Sequence, residues 1–190
     1  MQNNSLPITV WVQFESAKLL SKMAENQRGE EADFVADLVR GGMRKRDARV
    51  RAAAVRAERW PSISAVVGRA LEERLAEEDL AGPWKGLTPA ELARLSLSGA
   101  WPGPTTGQRL VQRRYSLPSA MVLRLRTISW RLSEGPLTAL EERGLIGQRV
   151  LSLSDEEHAE RLRLAAQLYP VGRIVREALA RYGPVPAGPQ

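Results

Sequence analysis

A mainly α-helical fold carrying short β-strands is predicted by three features of the sequence. Apolar residues recur three and four apart along most of the chain, the spacing of one helix face. Three short runs instead alternate apolar with polar residues, which is the period of a half-buried strand. Glycine and proline punctuate the joints between these runs.

The first run, Ile8 to Phe14, sets Ile8, Val10, Val12 and Phe14 on one face and Thr9, Trp11 and Gln13 on the other. Its period of two predicts a strand. Leu19, Leu20, Met23 and Ala24 follow at helical spacing from Ser16 to Arg28, and Gly29 is expected to end that helix. The next stripe, Phe34, Val35, Leu38 and Val39, is opened by Glu30, Glu31 and Asp33 and closed by Gly41-Gly42. Acids first and glycine last is the polarity that a helix dipole favours. Arg44 to Arg59 is dense in Arg and Ala, with Val50, Ala53, Ala54 and Ala57 expected on its apolar side. It reads as a basic helix whose charges are either solvated or aimed at phosphate. Beyond Pro61, Ser62 or Ser64 caps a helix bearing Ile63, Val66, Val67, Ala70, Leu71 and Leu75.

From Ala81 to Gln108 the composition shifts to Pro, Gly, Trp and small polar residues, the mark of a linker. Within it Thr88 is a cap, Pro89 a first helical residue, and Leu92 and Leu95 the anchors of a short helix. Trp84 and Trp101 are expected to dock, because a freely disordered linker has little use for large aromatics. A second strand runs from Val111 to Leu117; after Pro118 a helix carries Met121, Leu125, Ile128 and Leu132 and is expected to break at Gly135-Pro136. A short helix through Leu137 and Leu140 then ends at Gly144. The third strand spans Gln148 to Ser154, Ser154 caps a helix led by Asp155, Glu156 and Glu157, and after Pro170 a closing helix buries Ile174, Val175, Ala178 and Leu179. The organisation that follows is an N-terminal unit (1–42), a basic helical segment (43–82), a linker (83–108), tandem units (109–183) and a tail (184–190).

The bulk composition narrows the function. A chain of 190 residues, 43% hydrophobic and 26% charged, can bury the core of one or two modest domains. A formal charge of +6 and a pI near 10.3 favour a polyanionic partner. Much of the excess is Arg, whose planar guanidinium matches phosphate and the guanine edge. There is no cysteine and His158 is the lone histidine, so thiol chemistry and a histidine-built metal cage have no material. No nucleophile and base pair, metal cluster or phosphate-cradling Gly loop is recognisable, so neither an enzyme nor a cofactor is expected. No signal peptide and no apolar run of about 20 residues is present, so a cytoplasmic, nucleoid-associated protein without membrane contact is expected.

Three times a strand of about seven residues is followed by a helix, a break and a second amphipathic helix. One such unit leaves a row of backbone N–H and C=O groups unpaired and must find a mate. The order strand, helix, turn, helix resembles the ribbon-helix-helix superfamily of Arc and MetJ type repressors, most fully over VLSLSDEEHAERLRLAAQLYPVGRIVREALARY. The copies at 8–42 and 111–144 match in spacing. ERWPSISAVVGRALEERL, from Glu58 to Leu75, is similar to the second half of the unit but has no strand before it. Tandem ribbon-helix-helix units plus an extra helical segment are therefore expected.

The resemblance implies an antiparallel ribbon in the major groove of double-stranded DNA, its outward side chains on the base edges. Those are Thr9, Trp11 and Gln13 in the first strand, Gln112, Arg114 and Ser116 in the second, and Gln148, Val150 and Ser152 in the third. It also implies that the start of a second helix holds a backbone phosphate. Gly172 and Arg173, after Val171, suit this, whereas Glu30 and Glu31 in the first copy would repel it. That contrast, with Trp11 facing outward, suits the first copy to dimerisation or protein binding.

The strands at 111 and 148 are expected to pair within the chain and the strand at 8 with its twin in a homodimer. The link from Gly144 to Gly147 reaches about 15 Å at about 3.5 Å per residue; should that fall short, the C-terminal copies exchange strands between chains. Two functions stay open. One is a sequence-specific DNA binder such as a repressor or a plasmid or phage accessory factor. The other is an antitoxin-like or assembly protein whose segment 43–108 binds a partner protein.

Overall fold

The computed structural model describes residues 4–96, 109–146 and 152–181. Among them the chain is mainly helical, with one two-stranded antiparallel sheet. Strand β1 (Ser5–Gln13) pairs with β2 (Leu110–Pro118), Ser5 lying opposite Pro118, Thr9 opposite Arg114 and Gln13 opposite Leu110. The ladder is extended at both ends by matching bonds. Phe14 N–H donates to the Arg109 carbonyl at 2.9 Å, and Ser119 N–H to the Asn4 carbonyl at 2.9 Å. Each donor is the first residue after its strand and each acceptor the residue just before the other strand, so the two bonds are counterparts about an approximate two-fold axis through the ribbon.

This pairing corrects the expected one. The strand at 8 takes the strand at 111 as its mate within one chain, and needs no twin. Gln148 and Val150 of the third expected strand lie outside the described residues; Ser152 sits in a short turn leading into a helix. The physical reason is that alternation selects which face of a strand is buried and says nothing about its mate. That choice is made by the helices that close over the inner face.

Helix α1 (Phe14–Arg40) leaves β1 without a loop and runs straight through Gly29. A glycine inside a helix costs only about 1 kcal/mol relative to alanine. Contacts with α2 (Lys45–Arg59) offset that cost: Trp60, just past α2, donates its indole N–H to Glu30 at 3.1 Å and meets Phe34 edge to face at 5.5 Å, while Arg56 pairs with Glu31. Glu30 and Glu31 are thus mid-helix residues facing α2, not the opening of a phosphate site. The side of α2 that is buried is Ala48 and Ala52; Val50, expected inward, is 64% exposed.

Helix α3 (Ile63–Leu75) is capped by Ser62, whose hydroxyl accepts the Ala65 N–H at 3.2 Å. A short turn, α4 (Glu78–Ala81), and α5 (Pro89–Ser96) follow. Thr88 and Glu91 close a capping box at the start of α5, in the reciprocal pattern that satisfies two free helix donors. Trp84 docks as expected, half-buried against the core with its indole N–H on the Leu80 carbonyl at 3.0 Å. Trp101 lies outside the described residues, as does the tail beyond Arg181.

Helix α6 (Ser119–Glu142) also overrides its expected break, passing through Gly135 and Pro136. Pro136 removes one intrahelical donor, but Leu137 and Leu140 beyond it are buried with Trp130, Leu145, Leu164 and Leu168 in a satellite core. The helix stops instead at Gly144, in the left-handed region at φ 66°. Helix α7 (Asp155–Gln167) begins with the Ser154 and Glu157 capping box, and α8 (Val171–Ala180) closes the described chain.

The main core lies under one face of the ribbon. Ile8, Val10, Val12, Tyr115 and Leu117 point into it and meet residues of α1, α3, α6 and α8. Helices α3 and α8 pack on each other, α3 against β2 and α8 against β1. Val67, Ala70 and Leu71 of α3 and Val175, Ala178 and Leu179 of α8 are all buried, and hold corresponding places after Ser62 and Pro170. The Glu58–Leu75 segment thus holds α3, which occupies a place under the ribbon corresponding to that of α8.

Arg131 on α6 holds the linker by donating to the Lys85 and Gly86 carbonyls at 3.0 and 2.8 Å and to both Glu91 oxygens at 2.6 and 3.0 Å. The Arg131 guanidinium, with the Thr88 backbone N–H, draws the Glu91 carboxyl down to about 2. A carboxyl held below its ordinary value of 4.5 stabilises the fold above that value and stops doing so as pH falls toward 2. Hydrogen exchange across residues 85–96, corrected for intrinsic rate, should accelerate as pH drops from 4.5 to 2, and Glu91→Gln should show the fast exchange at neutral pH. Equal protection of the two proteins at neutral pH would contradict this linkage.

Candidate nucleic-acid interface

The face of the ribbon turned away from the helices carries Pro7, Thr9 and Trp11 from β1 and Gln112, Arg114 and Ser116 from β2. All six are exposed, Trp11 to 54%. The register places Pro7 opposite Ser116, Thr9 opposite Arg114 and Trp11 opposite Gln112. With strands about 4.8 Å apart and about 3.4 Å per residue, these six side chains cover a patch on the order of 14 Å long and one ribbon wide. A ribbon of that width enters a B-DNA major groove about 12 Å across.

A two-stranded sheet has two open edges, and each is met by the first turns of a helix. On the β2 side, Ser64 of α3 accepts the Ser116 backbone N–H at 3.1 Å. On the β1 side, Arg176 of α8 donates to the Trp11 carbonyl at 3.0 Å. Ser116 and Trp11 are counterparts, each two residues before its strand ends. Gly172 lies at the same contact: a Cβ there would meet Arg176 Nη1 at 3.3 Å and the Trp11 carbonyl at 4.0 Å.

The cations near this face differ in availability. Arg114 stands on it and has no ion pair among the described residues. Arg113 is exposed and turns one nitrogen to the Gln112 carbonyl at 3.2 Å. Arg109 lies over the Phe14 ring at 4.3 Å. Burial pushes the half-buried Arg176 guanidinium down, and the neighbouring Arg173 charge adds to that, against a smaller opposing effect of Glu177. Such a desolvated cation favours a close anion.

Of the residues expected to form a site, Thr9, Trp11, Gln112, Arg114 and Ser116 are brought to one face, and Gly172 flanks it. Gln13 stands at the end of the ribbon, half-buried and directly before α1. Arg173 is engaged by its neighbours, bonded to Glu177 at 3.0 Å and to the Leu168 carbonyl at 3.3 Å, and stacked over Tyr169 at 4.5 Å. Ser152 lies in the turn before α7, and Gln148 outside the described residues. Pro7, Ser64 and Arg176 were not foreseen. The alternation that starts at Ile8 extends one step further to Pro7, which is the signal for that residue; nothing local distinguishes Arg176 from Arg173.

Elsewhere an open cleft of about 490 Å³ runs between α1, α2 and the start of α3, walled by Ala24, Ala53, Ala57, Trp60 and the Arg56–Glu31 pair. Among the described residues no His, Asp and Glu cluster suits a metal ion, and no helix is long and apolar enough to cross a membrane. The outer face of the ribbon is an uncovered strip of hydrogen-bonding and apolar side chains backed by the main core. Comparison with known proteins returns no match, whether to a family model, a curated protein or a solved structure.

Proposed function

We propose that this protein binds double-stranded DNA sequence-specifically, with the outer face of the β1–β2 ribbon in the major groove, as a repressor or a plasmid or phage accessory factor. In this reading β1-α1-α3 and β2-α6-α8 are two ribbon-helix-helix units fused in one chain, with α2 and α7 as additions. The observation that carries it is the bare ribbon face, on which Arg114 and Gln112 stand free of any covering helix while Ile8, Val10, Val12, Tyr115 and Leu117 turn inward. Arg is suited to the O6 and N7 of guanine and Gln to the N6 and N7 of adenine. The net charge of +6 supplies the sequence-independent attraction.

Arg114→Ala is expected to weaken binding to a selected duplex by about 1–3 kcal/mol and to relax preference at one base pair. Affinity for random duplex should change little. Fluorescence anisotropy on both duplexes over a salt series checks this, and affinity for the selected duplex should fall steeply with salt. Absence of binding to any duplex at low salt contradicts the proposal.

A further inference from the structure

Resting on that reading, we infer that one chain is a complete reading unit and that its target is not palindromic. A ribbon made by two identical chains offers the same side chains twice, so its site repeats about the dyad. Here the two strands come from one chain and their counterpart positions differ in chemistry: Pro7 against Gln112, Thr9 against Arg114, Trp11 against Ser116. Thr9 and Arg114 are also directly opposite each other, so the approximate two-fold axis passes between them.

The face therefore has a centre and two unlike ends. At the centre Arg114 supplies a single guanidinium where a symmetric ribbon would supply two, and it selects guanine on one DNA strand only. One end pairs Trp11 with Gln112. An A·T pair shows in the major groove the N6 and N7 that Gln reads and a thymine methyl for apolar contact, so this end fits A·T. The other end pairs Pro7 with Ser116: a ring without a donor and a hydroxyl that bonds to either partner type, which discriminates weakly. The target is thus a short asymmetric element, with a central G·C pair, A·T pairs on one side and a tolerant sequence on the other.

Selection of bound duplexes from a random pool, with native mass spectrometry of the complexes, tests this. The expected result is a non-palindromic consensus bearing one 21.0 kDa chain per site. Gln112→Ala should erase the A·T preference on one side with roughly ten- to hundredfold weaker binding to the consensus, while Val50→Ala, on the exposed side of α2 away from the ribbon, leaves the consensus unchanged. A palindromic consensus holding two chains overturns the inference and leaves DNA binding standing. Failure to enrich any duplex at low salt removes both.

Discussion

Leu71→Ala is expected to lower unfolding stability by about 3–4 kcal/mol, within the range seen when a fully buried leucine is truncated. Leu71 has no exposed surface and sits on α3 where that helix crosses α8 beneath the ribbon, in the main core. Truncation loses the transfer energy of the side chain and leaves a cavity. The surrounding elements cannot collapse into it freely, because α3 is held at its start by the Ser64–Ser116 bond and at its end by Arg74. The counterpart Leu179 on α8, 1% exposed, should behave alike. Leu123, 51% exposed on α6, serves as control and should change stability by less than about 0.5 kcal/mol on truncation. Urea unfolding of the three variants provides the comparison. Equal, small losses for Leu71 and Leu123 would mean that α3 does not pack under the ribbon.

Arg74→Ala is expected to cost roughly 2–3 kcal/mol, somewhat below the 3–5 typical of breaking a deeply buried ion pair. Arg74 is 7% exposed, at the end of α3. Its guanidinium grips Asp79 with two bonds of 2.7 Å, Glu77 at 2.9 Å, Glu177 at 2.9 Å and the Tyr169 hydroxyl at 2.8 Å. One side chain thereby ties α3 and α4 to Tyr169, just before α8, and to Glu177 within it. The loss is moderated because Asp79 is more than half exposed and regains water, and Glu177 keeps Arg173 and the Tyr169 hydroxyl as donors.

The same network has an acid signature. The Arg74 hydrogen bonds hold the Asp79 carboxyl below its ordinary value; burial pushes Glu177 up, but hydrogen bonds from Tyr169, Arg74 and Arg173 outweigh it and hold that carboxyl low. Both carboxylates stabilise the fold above the usual carboxylate range and cease to do so as pH falls below it. Arg74→Ala should therefore show a shallower loss of stability in acid than the parent, which a merely smaller side chain would not produce. Unfolding midpoints measured from neutral pH into acid read both effects.

What the sequence discloses of this fold is mostly one-dimensional. The alternation of Ile8, Val10 and Val12, and of Tyr115 and Leu117, marks the inner face of each strand correctly, because a period of two is a local consequence of the pleat. The caps at Ser62, Thr88 and Ser154 are equally local. The mate of each strand is not, since β1 and β2 meet across more than ninety residues of intervening chain and any alternating run fits any other. Glycine and proline mark helix ends imperfectly for a related reason. Gly29 costs about 1 kcal/mol and Pro136 about 3 kcal/mol as helix-interior residues, and the Trp60 contacts and the burial of Leu137 and Leu140 offset them. The Glu58–Leu75 segment carries α3 without an adjoining strand, and its packing against β2 joins residues about forty positions apart, which no local pattern reports. On the candidate interface, alternation alone identified Thr9, Trp11, Gln112, Arg114 and Ser116 as outward residues, whereas the flanking Ser64 and Arg176 required the packing of α3 and α8.

In the proposed function the outer face of the ribbon is the surface that meets DNA. Hydroxyl-radical footprinting read by mass spectrometry, with and without a selected duplex, addresses this residue by residue. Trp11 is the exposed aromatic of the ribbon face; Val50 on α2 and Leu162 on α7, 64% and 42% exposed, stand on other surfaces. The duplex should suppress oxidation of Trp11 several-fold and leave Val50 and Leu162 unchanged. Unaltered oxidation of Trp11 alongside protection of Val50 or Leu162 would contradict a ribbon-borne interface.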